Sequence, residues 1–295
     1  MMAPRRRWLA LANPSSGAMR DLNFRHYWLR RVRYAATKFV VCENPGDAAA
    51  IMADEPEFDG IAAMGGDGTV AEILPALDPG RHCLAVLPAG RGNSLARALG
   101  LNTMPDALEA LSHGVEQPMD LMMLTTRHAD GSMARKVCAS TIAVGYVAAV
   151  VERAEDFAEA GIHGYTLAGL LTGPRPSPMQ LSYDGEALQT RSLTGLVISN
   201  ISHVAQYRPF PQARLDDGRL HAMELDAGRI RQVANNLSMM AGFYPVKPRR
   251  SCRSMRVRLE AADRITADGE ILEGIVEFSV DCVAGAILCN RPDWA

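Results

Sequence analysis

With 295 residues the chain is long enough for one large domain or two of ordinary size. Hydrophobic residues make up 48% and charged residues 22%, which excludes wholesale disorder. A formal net charge of −2 excludes a protein built to coat nucleic acid. The neutral average hides a bias at the start: Met1 to Tyr34 holds eight arginines (Arg5, Arg6, Arg7, Arg20, Arg25, Arg30, Arg31, Arg33) and one acid, Asp21. Trp8 to Ala12 is a short apolar run ending in the turn Asn13-Pro14-Ser15-Ser16-Gly17. Leu22 to Ala35 places Leu22, Leu29, Val32 and several aromatics at helical spacing. Phe39 to Cys42 reads as a strand and Gly46 to Asp54 as a helix. Ile61 to Met64 is a buried-strand run leading through Gly65-Gly66 into a helix reaching Leu77. Cys83 to Leu87 repeats that pattern, followed by Pro88-Ala89-Gly90 and a helix through Leu99.

After about Met119 strands dominate: Leu121 to Thr125, Val137 to Ile142, Met179 to Tyr183, Gly195 to Ser199, Leu220 to Leu225, Met255 to Leu259 and Val276 to Val280. Asp184-Gly185, Asp217-Gly218 and Asp268-Gly269 are hairpin signals. Helices are expected at about Val147 to Ala160, Gly164 to Leu171 and Ile230 to Phe243. Val246 to Arg258 is a second basic stretch, with six Lys or Arg and no acid. Both basic stretches suit a surface that meets phosphate or lipid headgroups, and equally suit two solvated faces. The six cysteines form no Cys-x-x-Cys pair and read as buried thiols. The longest apolar run, Cys138 to Val151, is too short to span a bilayer, so a cytoplasmic chain is expected, with a peripheral place at the inner membrane face compatible with it.

Strands alternating with helices in the first part indicate a parallel α/β sheet. Ligands in such sheets sit beyond the carboxyl ends of the strands. The three Gly-rich turns, Asn13 to Gly17, Gly65 to Thr69 and Gly90 to Ser94, all fall at those ends. In Gly65-Gly66-Asp67-Gly68-Thr69 the glycines let backbone approach a polyphosphate, and Asp67 is suited to hold magnesium on it. A plain strand-to-helix turn is the competing reading, because Thr69 and Glu72 fit a capping box.

These turns carry a resemblance. Asn13-Pro14-Ser15-Ser16-Gly17, the Gly65 to Thr69 loop with Glu72, and Leu87-Pro88-Ala89-Gly90-Arg91-Gly92-Asn93-Ser94-Leu95-Ala96-Arg97 resemble the diacylglycerol kinase and sphingosine kinase superfamily. Met119-Asp120-Leu121, Asp216-Asp217-Gly218-Arg219-Leu220 and Asp268-Gly269-Glu270 extend the likeness over nearly the whole chain. It implies an α/β plus all-β protein: a nucleotide-binding domain over 1–120, similar to phosphofructokinases and NAD kinases, and a β-sandwich-like lipid-substrate domain over 121–285. The last residues, from about Ala286, would return to the first domain.

The resemblance further implies ATP and Mg²⁺ held by Asn13, Ser16, Gly65, Gly66, Asp67, Gly68 and Thr69, with Gly90, Arg91, Gly92 and Asn93 beside the phosphates. It implies Asp268 as general base with Glu270 as its neighbour, Asp67 as a metal-bearing residue, and Asp217 as a structural metal site. On local sequence alone Asp268-Gly269 is a hairpin turn. Arg91 departs from the family's usual Thr or Ser, as a phosphate-binding guanidinium or as a crowding one. The expected reaction moves the γ-phosphate of ATP to a hydroxyl of a lipid such as diacylglycerol, reached at an anionic membrane surface, and is compatible with a homodimer. NAD kinase shares the Gly-Gly-Asp-Gly-Thr loop but lacks the other two turns. A catalytically weak nucleotide- or lipid-binding regulator on the same scaffold is the third reading.

Overall fold

The computed structural model describes residues 6–44, 46–160, 163–225 and 249–293. The helix expected at Ile230 to Phe243 lies outside them. The chain forms two compact units, Met1–Met119 with Gly285–Ala295, and Asp120–Ala284.

The first unit is a parallel sheet with packed helices. Its strands are β1 (Trp8–Ala12), β2 (Lys38–Val41), β3 (Gly60–Gly65) and β4 (Cys83–Pro88), and its helices are α1 (Leu22–Ala35), α2 (Asp47–Asp54), α3 (Asp67–Ile73), α4 (Ser94–Ala98) and α5 (Met104–His113). The order β4-β3-β1-β2 is parallel throughout, with Ala10 opposite both Phe39 and Ala62, and Ala62 opposite Ala85. On the other side of β4 lies the end of a late strand, β14 (Glu270–Arg291), with Leu288 paired parallel to Cys83. β1 and β3 are buried along their whole length, as expected of strands covered on both faces, while β2 is partly exposed.

Local chemistry sets the helix ends. Asp21 caps α1 by accepting hydrogen bonds from the Asn23 and Phe24 amides, at 2.8 and 3.4 Å. Thr103 and Asp106 form a reciprocal capping box on α5, which carries Pro105 in its first turn. α1 packs on α5 and β2, and α2 packs on α3. The Arg6 guanidinium is tied to Glu116 at 2.6 Å and Arg7 lies over the Phe58 ring. Arg6 and Arg7 are therefore used inside this unit.

The second unit is β-rich. It holds β6 (Met133–Cys138), β7 (Thr141–Gly145), β8 (Ser177–Tyr183), β9 (Gln189–Leu193), β10 (Gly195–Ser199), β11 (Leu220–Leu225), β12 (Arg249–Cys252) and β13 (Ser254–Ala267), with most of β5 (Val115–His128) and of β14, and two helices, α6 (Tyr146–Arg153) and α7 (His163–Leu171). β13 changes neighbours along its length: Met255 to Leu259 pair with β8, and Ile265 to Ala267 pair with β7, with register shifts between. That switch wraps the strands around one core containing Met122, Ile142, Leu181, Ile198, Val257 and Phe278. The expected α/β plus β-rich architecture is the one observed.

Three local expectations need correction. The single strand expected over Val137 to Ile142 is two strands broken at Ala139-Ser140, where the amides turn to a carboxylate. Asp217-Gly218 is not a tight hairpin, since β10 and β11 pair antiparallel across a connection from Asn200 to Arg219. Cys282 is only half-buried, unlike the other cysteines. The Asp268-Gly269 signal does form a two-residue turn between Ala267 and Glu270, with φ of 52° and 87°.

Candidate functional site

In the first unit the three Gly-rich turns are laced into one surface. The Asn13 amide donates to the Met64 carbonyl at 3.1 Å, and the Ala89 and Gly90 amides donate to Gly65 at 2.9 and 3.1 Å. The Ala18 amide and the Ser16 hydroxyl both donate to the Ala89 carbonyl, at 2.8 and 3.1 Å. Asn13 Oδ1 accepts from the Ser15 amide at 2.9 Å, which closes its own turn. Asn93 stands at φ 53° and clamps Gly90 twice, accepting from its amide and donating to its carbonyl, both at 2.9 Å. Arg97 donates to the Gly92 carbonyl at 3.3 Å. Asn13, Ser16, Gly65, Gly66, Asp67, Gly68, Thr69, Gly90, Arg91, Gly92 and Asn93 thus come together.

Most of the glycines are explained by loop-on-loop packing. A Cβ on Gly90 would overlap the Gly66 Cα and stand 2.8 Å from Asn93 Oδ1. One on Gly17 would stand 2.9 Å from the Arg91 amide nitrogen, and one on Gly65 would run into the buried Thr69 side chain. Gly68 differs. A Cβ there meets nothing within 4 Å, and its φ is not left-handed. A glycine inside a helix costs about 0.5–1 kcal/mol relative to alanine. Among the described residues no contact offsets that cost at Gly68, on the exposed side of the first turn of α3.

Asp67 is half-buried, and its carboxylate accepts the Ser94 and Leu95 amides at 2.9 and 3.0 Å, one on each oxygen, capping α4. Each oxygen keeps a lone pair for a further donor or cation. The capping box expected of Thr69 and Glu72 is absent: Gly66 caps α3 without a side-chain hydrogen bond, and Glu72 Oε1 instead accepts the Gly46 amide at 2.7 Å. Glu72 therefore joins α3 to the start of α2.

The second unit holds another constellation. Asp268 is buried, and its carboxylate accepts four hydrogen bonds: from the Ala139 amide at 2.7 Å, the Ser140 amide at 2.8 Å, the Ser140 hydroxyl at 2.6 Å and the Thr141 amide at 3.0 Å. Burial pushes the Asp268 carboxyl up from its ordinary value, although all four donors favour the ion. Three donors share Oδ1, so Oδ2 keeps a free lone pair. The Thr141 hydroxyl beside it is buried with no partner.

Glu270 is exposed and pairs with Lys136 at 2.6 Å. Burial lowers the Lys136 ammonium, but the hydrogen bond and charge of Glu270 outweigh it and hold the pKa above its ordinary value. Asp217 serves its own turn, accepting from the Arg214 and Arg219 amides at 3.2 and 2.9 Å, with His221 Nε2 at 2.9 Å. Among the described residues no three His, Cys, Asp or Glu side chains converge as a metal site. Magnesium suits Asp67 regardless, because Mg²⁺ is commonly held by one or two carboxylates, substrate phosphates and water.

Ser140 and Lys136 carry parts of this constellation, and neither has a sequence signal for that role. Buried Asp120 accepts the Gly218 amide at 2.6 Å, and its carbonyl accepts from Asn200 at 2.6 Å. In sequence Ser140 is a polar residue inside the apolar run Cys138 to Val151, a position that gives no partner.

The sequence pattern of the diacylglycerol kinase catalytic domain matches residues 7–124. A protein of Pseudomonas aeruginosa (strain UCBPP-PA14) named "Probable lipid kinase YegS-like" is 31% identical over 267 residues, covering 84% of this chain and 82% of its own. A diacylglycerol kinase of Bacillus subtilis (strain 168) is 27% identical over 210 residues, covering 69% of this chain and 67% of its own. Among solved structures, a diacylglycerol kinase from Bacillus anthracis str. Sterne superposes with a TM-score of 0.77 at 19% identity, covering 99% of each chain. That last likeness is one of fold.

Proposed function

The chain belongs to the diacylglycerol kinase-like family of lipid kinases, and from that premise we propose that it transfers the γ-phosphate of ATP to a hydroxyl of a membrane lipid such as diacylglycerol. The observation that carries the nucleotide half is Gly68. It has open space where a side chain would stand and no packing reason to lack one, which is what close approach of a polyphosphate to the backbone requires. The Gly90–Asn93 turn, held by Asn93, forms the adjoining wall, and Arg91 adds a guanidinium suited to phosphate oxygens. Asp67, with a lone pair left on each oxygen, would hold Mg²⁺ directly or through water, and the chemistry such an ion would supply there is charge neutralisation on the phosphates.

Asp268 takes the acceptor's proton as the lipid oxygen bonds to the γ-phosphorus and the bond to the β-phosphate oxygen breaks, releasing ADP. Its free Oδ2 lone pair and its raised pKa support that role. The Lys136–Glu270 pair fixes the flank of the same turn. Asp217 holds its own loop, with Oδ2 meeting the Arg214 amide and His221 Nε2 and Oδ1 meeting the Arg219 amide, and no role in the transfer is proposed for it.

The test is turnover of radiolabelled ATP and Mg²⁺ with diacylglycerol in mixed micelles, run beside Gly68→Ala and Asp268→Asn. Labelled lipid is expected from the wild type and none from Asp268→Asn. Gly68→Ala is expected to fold as the wild type yet bind ATP at least tenfold more weakly, consistent with a lost charged hydrogen bond of about 1.5–3 kcal/mol. Labelled NAD in place of lipid, or nucleotide binding without any turnover, overturns the proposal in favour of the NAD kinase or the regulator.

A further inference from the structure

We infer that α1 is the element by which this chain docks on an anionic phospholipid surface, an inference that rests on the lipid-kinase reading above. Two faces of the helix are chemically distinct. Val32 is buried, and Phe24, Trp28 and Leu29 are partly buried on the same side. The opposite side presents Tyr27, Arg30, Arg31 and Tyr34 at spacings of three and four residues, with Arg33 and Leu22 at its margin. Tyr34 is 88% exposed, Leu22 65% and Tyr27 50%.

Every charged residue within α1 is an arginine; the acid that precedes it in the chain, Asp21, is occupied as the N-cap. Among the described residues Arg25, Arg30, Arg31 and Arg33 make no ion pair with a carboxylate. Arg31 lies over the Tyr27 ring at 3.5 Å, and Tyr27 meets Trp28 edge-on at 4.9 Å, so cation and aromatic form one platform.

The second basic stretch is different. Arg256 and Arg258 both turn to Glu277, and Arg250 stands 3.9 Å from Glu224 and 4.8 Å from the Tyr183 ring. The charges of Arg250, Arg256 and Arg258 thus face carboxylates, whereas on α1 Arg31 meets only the Tyr27 and Trp28 rings and the Tyr27 carbonyl, and Arg33 only the Phe39 ring, among the described residues.

Cations with no carboxylate partner among the described residues, standing beside exposed tyrosines, match the headgroup layer of an anionic bilayer. Anionic lipid attracts each arginine near the surface, and amphipathic aromatic rings settle at the water–hydrocarbon boundary. Because cations and aromatics share one face, α1 is suited to lie at headgroup depth rather than to insert. No helix among the described residues is long and apolar enough to cross a membrane, so contact of this kind is the mode the helices offer. The Asn13–Gly17 turn of the nucleotide surface leads directly into α1, with Arg20 donating back to the Ser15 carbonyl at 2.9 Å.

The experiment is vesicle flotation of the full chain. Vesicles of phosphatidylcholine alone are compared with vesicles of phosphatidylcholine and phosphatidylglycerol, at low and high salt. The wild type is expected to float with the anionic vesicles and to be released by salt. Arg30→Gln, Arg31→Gln and Arg33→Gln combined should lower partitioning on the order of a hundredfold, from about fivefold for each arginine. Tyr27→Ser with Tyr34→Ser should weaken what binding survives salt.

Circular dichroism shows whether the variants remain folded, and turnover of a short-chain, water-soluble diacylglycerol should be unchanged in both. Equal binding of the wild type to both kinds of vesicle, or wild-type partitioning of the folded triple-arginine variant, overturns the inference. So does tighter salt-sensitive binding to duplex DNA than to anionic vesicles. If the wild type docks but phosphorylates neither vesicle lipid nor the soluble substrate, the docking surface stands and the kinase reading falls.

Discussion

Asp268→Ala is the change whose consequences the structure specifies most fully. It strands the Ala139, Ser140 and Thr141 amides and the Ser140 hydroxyl in a buried place. Each unmet buried donor costs about 1–3 kcal/mol. Water entering the deletion and relief of the buried charge offset part of that sum, leaving about 3 kcal/mol. Alanine at φ 52° adds about 1 kcal/mol, because aspartate and asparagine tolerate the left-handed region better. The expected loss is about 4 kcal/mol in all.

Asp268→Asn separates the contributions. It retains the conformation and the Oδ1 contacts, and places an amide NH₂ against the Ala139 N–H, which lies 2.7 Å from Oδ2. Its expected cost is about 1–3 kcal/mol, the price of one unmet buried donor. Urea unfolding followed by circular dichroism measures both, and ATP titration checks that the nucleotide half survives. Both variants should lose phosphoryl transfer while binding ATP nearly as the wild type. An alanine variant within about 0.5 kcal/mol of wild type would refute this account, since surface-like tolerance is incompatible with four satisfied donors.

Other expected outcomes follow from single contacts. Gly90→Ala should force the Gly66 and Gly90 loops apart, costing about 1–3 kcal/mol in thermal unfolding, whereas Gly68→Ala should be neutral or stabilising by about 0.5–1 kcal/mol. Arg91→Thr should weaken ATP binding by about tenfold or more in calorimetric titration if its guanidinium holds phosphate; tighter binding would identify Arg91 as an obstacle. For Glu277, burial acts upward on the carboxyl, but hydrogen bonds and charge from Arg256 and Arg258 prevail and hold it below its ordinary value. A carboxyl lowered in this way stabilises the fold above its unfolded pKa, and that contribution is lost as pH falls through the folded value. Glu277→Gln should therefore cost about 1 kcal/mol at neutral pH, and the difference from wild type should vanish in acid.

Several elements were legible because the forces that make them are local. The Trp8 to Ala12 run and the Leu22 to Ala35 helix occur where hydrophobic spacing puts them, and Asp268-Gly269 forms the turn its left-handed residues favour. The three glycine turns could be assigned to the strand ends from their order in the chain. Tertiary structure alone decided what those residues do. Thr69 and Glu72 have capping-box spacing, but Glu72 is drawn to the Gly46 amide on another helix. Asp67 caps α4, which begins far along the chain, and Gly66 and Gly90 exclude side chains because each faces the other.

Asp268 was visible as half of a turn, yet the groups that hold its carboxylate lie 127 to 129 residues away. A sequence records the torsional and near-neighbour preferences of each segment. It does not record which distant amide will be left without a partner when the strands close, and such unmet buried groups determine where these carboxylates are held.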